Sequence, residues 1–435
     1  WHHAMRPSRF IKPYYFRCKR QGWTRRITSD RSLRLWWDGY QKCRRFARSA
    51  QWDEERLDLA ISSVQKEMQQ RFGRLQAIPL DQVRDTFQDL SRSAGHCFFD
   101  KYSCKRDIPQ CELDECERVL QYKGPKDLPP YMISFRNQIR KGEPKQRIIL
   151  VSPGPLAMVE KRFAWPLQKA MEHGAYPRPW ATGWCWFASG GSQVTPFIED
   201  PTTVSLDFEK FDYSPPTFLI RKIFKMMMSL FELTPSELAI FKGISRSHVD
   251  SLAKYGDRVY HLDQGIRTGS SFTHVIGTLV CMVMIRYLCG IDISAISYGD
   301  DAMYRGGPPL KTVCRRAEST SFRISRTKSK HGVQWLGYKW RDDRWVCEDP
   351  DRRWAQYFWP EKPGCPEARL QALFLNCLSD PMRVPLKKAL VELSLGVVLQ
   401  ETAELIGAHR YPITIEPGAD IFEVEKRMKR YHRLD

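Results

Sequence analysis

Two adjacent carboxylates in Ser297-Tyr298-Gly299-Asp300-Asp301 stand where the spacing predicts the tip of a tight β-turn. The flanking stretches, Ile291 to Ile296 and Ala302 to Tyr304, are rich in apolar residues and short enough for strands, and Gly299 is free to take a positive φ. Paired anions on a hairpin tip repel each other strongly, so they call for a counter-charge, and a divalent cation supplies it most efficiently. Alone, the string also describes a solvated Gly-Asp-Asp surface turn.

Three other stretches carry groups that would complete such a site. Thr202 to Asp212 reads TTVSLDFEKFD: Val204, Leu206 and Phe208 share one face of a strand, Ser205 and Asp207 the other, and Asp212 follows five residues after Asp207. Phe135 to Ile149 reads FRNQIRKGEPKQRII, with Lys145 and Arg147 on one side of a strand and Arg140 and Lys141 ahead of a Gly142-Glu143-Pro144 turn. Such a ribbon suits a triphosphate clamp, with a charged edge strand as the other reading. Gln264 to Gly277 reads QGIRTGSSFTHVIG, a pliable loop in which Ser270 or Ser271 would cap a helix running to about Cys289.

The elements that must position these groups follow from periodicity. Trp52 to Phe72 reads as an amphipathic helix through Leu57, Leu59, Ala60, Val64 and Met68, and Pro215-Pro216 open another. Phe272, Ile276, Leu279 and Val283 give the helix after the loop one buried face. A helix from Pro308-Pro309, a short strand in FRISRTKSK and a hairpin around Arg341 to Arg344 come next. Strand, helix, helix, acidic hairpin, helix, strand is an α+β order of the ferredoxin-like kind. The last 80 or so residues are helical in pattern, with Leu370, Leu373, Leu375, Leu378, Leu390, Leu393 and Leu395 as core.

With 435 residues the chain has ample core, and 69 Lys plus Arg against 50 Asp plus Glu give +19, a balance that favours a polyanionic partner such as nucleic acid. Residues 1–48 hold 14 Lys or Arg and two acids, interleaved with Tyr14, Tyr15, Phe16, Trp23, Trp36 and Trp37, a mixture suited to phosphate contact and base stacking or to a solvated arm. The best apolar run, Val275 to Ile285, is too short to span a bilayer and reads as a buried helix. Thirteen cysteines without a CxxC pair fit a reducing compartment, and the loose group His96, Cys97, Cys104, Cys111 and Cys116 lacks zinc-knuckle spacing. The chain begins with Trp1, as a fragment or a reading frame starting at Met5 would.

In order, SAG at 93–95, FRNQIRKGEPKQR at 135–147, DFEKFD at 207–212, RTGSSFT at 267–273, SYGDD at 297–301, TKS at 327–329 and WLGY at 335–338 resemble the motif series of viral RNA-dependent RNA polymerases. The resemblance is strongest to those of partitivirus- and picobirnavirus-like double-stranded RNA viruses. It implies a right hand: a basic N-terminal extension and fingertips (1–92), fingers (93–203), a ferredoxin-like palm (204–340, with a fingers insertion around 232–262) and a short helical thumb (341–435). It further implies that Asp207 and Asp300 ligate two Mg²⁺ or Mn²⁺ ions, with Asp301 assisting and the Phe208 carbonyl adding a ligand. Lys328, with Lys330 as rival, would protonate departing pyrophosphate, and Arg140, Lys141, Lys145 and Arg147 would hold the triphosphate. Thr268, Gly269 and Ser270 would support the template and nascent pair, Ser93 to Gly95 would guide the template, and the hairpin of Trp335 and Gly337 would grip the primer.

The implied partners are an RNA template with its nascent duplex, ribonucleoside triphosphates and a viral capsid protein, in the host cytoplasm or inside the particle. One position departs from the family: Gly277 replaces the usual Asn or Asp, which leaves ribose selection to Asp212 and Thr273. A reverse transcriptase shares the YxDD string but carries a bulky aromatic where Asp212 stands. A basic RNA-binding protein with an inactive core is the alternative of another class.

Overall fold

The Thr273–Cys289 helix is the axis of the molecule, and every residue from Val275 to Ile285 on it is buried. The periodicity predicted a single buried face, but a helix apolar all round is enclosed on all sides. Its neighbours are the Glu54–Phe72, Thr217–Ser229 and Leu310–Ala317 helices and the acidic hairpin. It starts at Thr273 without a side-chain cap, later than the predicted Ser270 or Ser271, and ends where Gly290 turns to φ +105°. This computed structural model describes residues 8–25, 29–142, 145–186, 193–362, 364–377, 381–406 and 415–432, and among these no helix is long and apolar enough to cross a membrane.

Against this axis lies an antiparallel sheet in the order Ser294–Tyr298, Asp301–Arg305, Val204–Leu206, Lys330–His331. The first strand was predicted from Ile291. It begins at Ser294 because the residues after Gly290 form a turn, and Ile291 is exposed. Leu57, Ala60, Val64 and Met68 of the Glu54–Phe72 helix are fully buried as predicted, whereas Leu59 faces solvent.

A second sheet, ordered Arg258–Leu262, Ser251–Tyr255, Tyr131–Gln138, Lys145–Val151, carries the basic ribbon. Its outer hairpin, residues 251–262, lies inside the segment expected as a fingers insertion. Glu143 and Pro144 of the predicted turn lie outside the described residues.

Among its described residues the basic N-terminal segment is packed onto the rest of the protein, with Phe16 left exposed. Trp36 and Tyr40 are buried in the main core, Trp23–Thr24 pairs with Arg140–Lys141, and the Lys12–Gln21 helix lies on the Pro350–Phe358 helix. There Tyr14 stacks on Trp354 at 4.5 Å, and Gln21 Nε2 donates to Asp351 Oδ2 at 2.9 Å. Arg25 closes the strap by donating to the carbonyls of Asn137 and Trp359.

Past the palm sheet, Gln334–Trp335, Tyr338–Arg341 and Arg344–Cys347 form a meander whose middle strand runs through the 340/341 division. Both its turns have two residues at positive φ, Leu336 and Gly337, then Asp342 and Asp343, which matches the twist of the strands they join. Among the described residues five α-helices follow from Pro350 to His432. Leu370, Leu375 and Leu390 supply core, Leu373, Leu393 and Leu395 pack at its rim, and Leu378 lies outside the described residues.

Candidate active site

Register brings the sequence-distant acids together. Tyr298 pairs with Asp301, so Gly299 and Asp300 form a two-residue turn, with Gly299 at φ +59°. Ala302 pairs with Leu206, and the same register carried one step further sets Asp207 beside Asp301. There the chain leaves the sheet: Phe208–Glu209 pairs instead with Arg323–Ile324. Asp207 is fixed at this transition because its N–H donates to Ser329 Oγ at 2.9 Å and its carbonyl accepts from the Ser325 N–H at 2.8 Å. The turn is fixed from the central helix, where Thr278 Oγ1 accepts the Gly299 N–H at 3.0 Å.

Asp207, Asp300, Asp301, Lys328 and Glu348 open onto one cavity of about 150 Å³, which Trp335, Leu336 and Gly337 also line. Burial raises the pKa of every Asp in this group. For Asp207 the nearby Lys328 opposes the rise and Asp300 adds to it, while Arg147 opposes it at Asp300. Asp301 is pushed up to about 7 by burial and then by the charge of Asp300, against a hydrogen bond from the Leu336 N–H at 3.1 Å. Asp212 is pushed up to about 6 by burial and by Asp300, with Arg147 opposing from 3.8 Å. The cluster thus holds more negative charge than its cations offset.

Oxygen-only donors of this kind suit a hard cation such as Mg²⁺ or Mn²⁺. Among the described residues no group of three His, Cys, Asp or Glu side chains is disposed to hold an ion by itself. Among the described residues the cysteines form no disulfide.

The remaining predicted residues fall in distinct places. Lys328 lines the cavity, whereas Lys330 is an exposed residue of an edge strand. Arg147 reaches Asp212, while Arg140 and Lys141 lie on the short ribbon paired with Trp23–Thr24, outside the cavity lining. Lys145 is in the same strand as Arg147, and its side chain lies outside the described residues. The Phe208 ring is in the core. Thr268 Oγ1 accepts the Leu150 N–H at 3.1 Å, and Gly269 lies so close to that strand that a Cβ would meet Leu150 O at 2.0 Å. Thr273 Oγ1 donates back to the Arg267 and Ser270 carbonyls, and the Ser270 hydroxyl points inward. Ser93 and Gly95 belong to a turn against Ser152 and Gly154, where a Cβ on Gly95 would meet Ser152 O at 2.7 Å. Gly277 faces the acidic turn, and a Cβ there would stand 3.7 Å from Gly299 Cα, an ordinary contact.

Sequence reasoning missed Glu348, Thr278 and Ser329. Glu348 reaches the cavity because its N–H donates to Gly337 O and its Oε1 accepts from Gln334 Nε2 at 3.0 Å, both consequences of hairpin register. An acid just past the end of a strand was its only signal.

Comparison with known proteins places the fold and the family. The fold matches a Sicinivirus 3Dpol RNA dependent RNA polymerase with a TM-score of 0.67 over 88% of this chain and 86% of that one, at 16% identity, a likeness that establishes the right-hand fold. In sequence the chain is 29% identical over 247 residues to the RNA-directed RNA polymerase of Cryptosporidium parvum virus 1 (strain KSU-1), which is 54% of this chain and 45% of the relative. The chain therefore spans about half the length of that relative. Residues 134–380, more than half of the chain and all of the motifs from the basic ribbon to the meander, match the family described as viral RNA-dependent RNA polymerase. The chain belongs to that family.

Proposed function

We propose that this chain adds ribonucleotides to an RNA 3′ end on an RNA template by two-metal phosphoryl transfer, and so replicates and transcribes a viral RNA genome. The observation that carries this reading is the opening of Asp207 and Asp300, from strands far apart in sequence, onto one cavity with Lys328. Asp207, Asp300 and the Phe208 carbonyl are the proposed ligands of two Mg²⁺ or Mn²⁺ ions. When bound, such ions lower the pKa of the RNA 3′-hydroxyl and offset the charge that gathers on the in-line transition state.

Around them the chain's own groups bind and orient. Asp301, tethered by the Leu336 N–H, assists at the cation site. Arg147, with Arg140, Lys141 and Lys145, engages the triphosphate, and Asp212 accepts a hydrogen bond from the ribose 2′-hydroxyl. Lys328 gives its proton to departing pyrophosphate. The Thr268–Thr273 loop supports the template and nascent pair, the turn at Ser93 and Gly95 guides the template, and Trp335 and Gly337 grip the primer. The division at 92/93, 203/204 and 340/341 serves as the domain frame. A viral capsid protein is the further partner we propose, with the host cytoplasm or the particle interior as the setting.

Extension of an RNA template, with and without primer, with ribo- and deoxyribonucleotides in parallel, tests the reading. We expect metal-dependent extension with ribonucleotides. A preference for deoxyribonucleotides would assign the chain to reverse transcription, and RNA binding without extension under any condition would make it an inactive RNA-binding protein.

A further inference from the structure

Behind the Thr268–Thr273 loop, away from the carboxylate cavity, Glu160 of the Gly154–Glu172 helix is fully buried, and so is His248 near the end of the Pro235–Val249 helix. Glu160 Oε2 lies 2.6 Å from His248 Nε2 and accepts the Ser270 hydroxyl at 2.8 Å, while Oε1 accepts the Ser271 N–H at 3.4 Å. Glu160 Oε2 and His248 Nε2 thus share one hydrogen bond in the interior. Its ring is walled by Phe224 at 4.9 Å and Phe272 at 6.1 Å. Ser271 adds a fourth tie through its hydroxyl, which donates to the Ala157 carbonyl at 2.7 Å on the same helix as Glu160.

We infer that Glu160 and His248 are positioning residues for the RNA-supporting loop, acting through Ser270. This rests on the polymerase reading of the site. A fully buried carboxylate is retained only where donors satisfy it, and two of its three donors come from this one loop. The loop is also pinned from the opposite side, where Thr268 takes the Leu150 N–H and Gly269 lies against Leu150 O. Held on both flanks, its backbone presents one fixed surface to the base pair and leaves the Ser270 hydroxyl no part in touching RNA. Misplacement by a fraction of an ångström would alter the alignment of template and nucleotide before it altered the fold.

Ser270→Ala removes one hydroxyl and keeps the helix and the fingers strand. With wild-type extension established, single-nucleotide incorporation by this variant should slow by roughly tenfold, as for loss of one charge-assisted hydrogen bond. Nucleotide KM and RNA affinity should stay near wild type, the thermal midpoint should fall because Glu160 loses a donor, and Ser270→Thr should restore both the rate and the midpoint. Glu160→Ala with Ser270→Ala should be little worse than Glu160→Ala alone, because the groups act as one unit. Hydrogen exchange reads the anchor without catalysis: the Ser271 amide should lose protection in Glu160→Ala. Wild-type incorporation by Ser270→Ala, or unchanged Ser271 protection in Glu160→Ala, overturns the inference. Failure of the wild type to extend RNA at all is a different result and counts against the polymerase reading.

Discussion

Among the described residues the molecule has two large cores and a small cluster around Val83, Ile108 and Met158, and the acidic hairpin is the partition between the two large ones. Ala302 and Tyr304 pack into the larger one, with the central helix and the fingers, while Ile296 and Met303 pack into the smaller one, with the meander, the thumb helices and the N-terminal strap. Strand alternation alone produces this, because successive side chains point to opposite faces. The cores are built differently. The first is organised by continuous hydrogen-bonded sheet and a helix apolar all round, and the second by side-chain contacts between remote segments, such as Tyr14 on Trp354 and Arg383 with Glu425. The clustered acids are held by backbone register at the seam. The enclosure around them is held by side chains.

The largest expected effect separates chemistry from both cores. Asp300→Ala, or Asp207→Ala, should reduce nucleotide incorporation by about a thousandfold or more, the rate equivalent of several kcal/mol of charge stabilisation. RNA affinity and the thermal midpoint should remain near wild type. Parallel loss of RNA binding would mean that these acids support structure.

Breaking each core in turn sharpens the contrast. Leu279→Ala in the central helix should destabilise the whole protein by about 2–5 kcal/mol in denaturant titration. Trp354→Ala should act locally: hydrogen exchange should rise over the Lys12–Gln21 helix while incorporation of a single nucleotide stays close to wild type. If both variants unfolded the chain in one transition of equal shift, the two-core description would be wrong.

A third and smaller effect belongs to the contact between loop and fingers. Gly269→Ala places a methyl against Leu150 O and should cost about 1–3 kcal/mol, seen as a lower denaturation midpoint. Gly277→Asn, beside the acidic turn, meets only an ordinary contact, so its stability should stay within about 0.5 kcal/mol of wild type. The ratio of ribo- to deoxyribonucleotide incorporation should rise, because an amide would join Asp212 at the ribose.

Much of the first core was legible in the sequence and little of the second. Alternation around Asp207, the glycine before Asp300 and the order of the motifs anticipated the palm, because strand register and turn chemistry are local rules. Nothing local pairs Tyr14 with Trp354 or aims Glu348 at Asp207, since both depend on where the thumb and the meander fold back. For the same reason the aromatic residues of the N-terminal segment suggested base stacking when Trp36 and Tyr15 are spent on packing, while Phe16 stays exposed. Thr268 and Ser270 were expected together at the RNA. The structure gives one to the fingers strand and the other to a buried carboxylate, a distinction that needs Glu160 in view.

A pH dependence at the seam gives a further test. Asp301, raised from 3.8 to about 7 in the fold, binds its proton more tightly there than in the unfolded chain. Its contribution therefore makes the metal-free protein less stable as pH rises from about 4 to about 7. In chelator, Asp301→Asn should melt above wild type at pH 8, with the gap closing toward pH 4. A gap that widened on acidification would reverse the assigned sign.

Manganese binding, followed by its paramagnetic signal with RNA and a ribonucleoside triphosphate present, reads the seam itself. The wild type should take up two equivalents, and Asp207→Ala and Asp300→Ala should each lose at least one while keeping the RNA. Undiminished uptake by both variants would contradict a shared cation site and, with it, the assignment of phosphoryl transfer to this cavity.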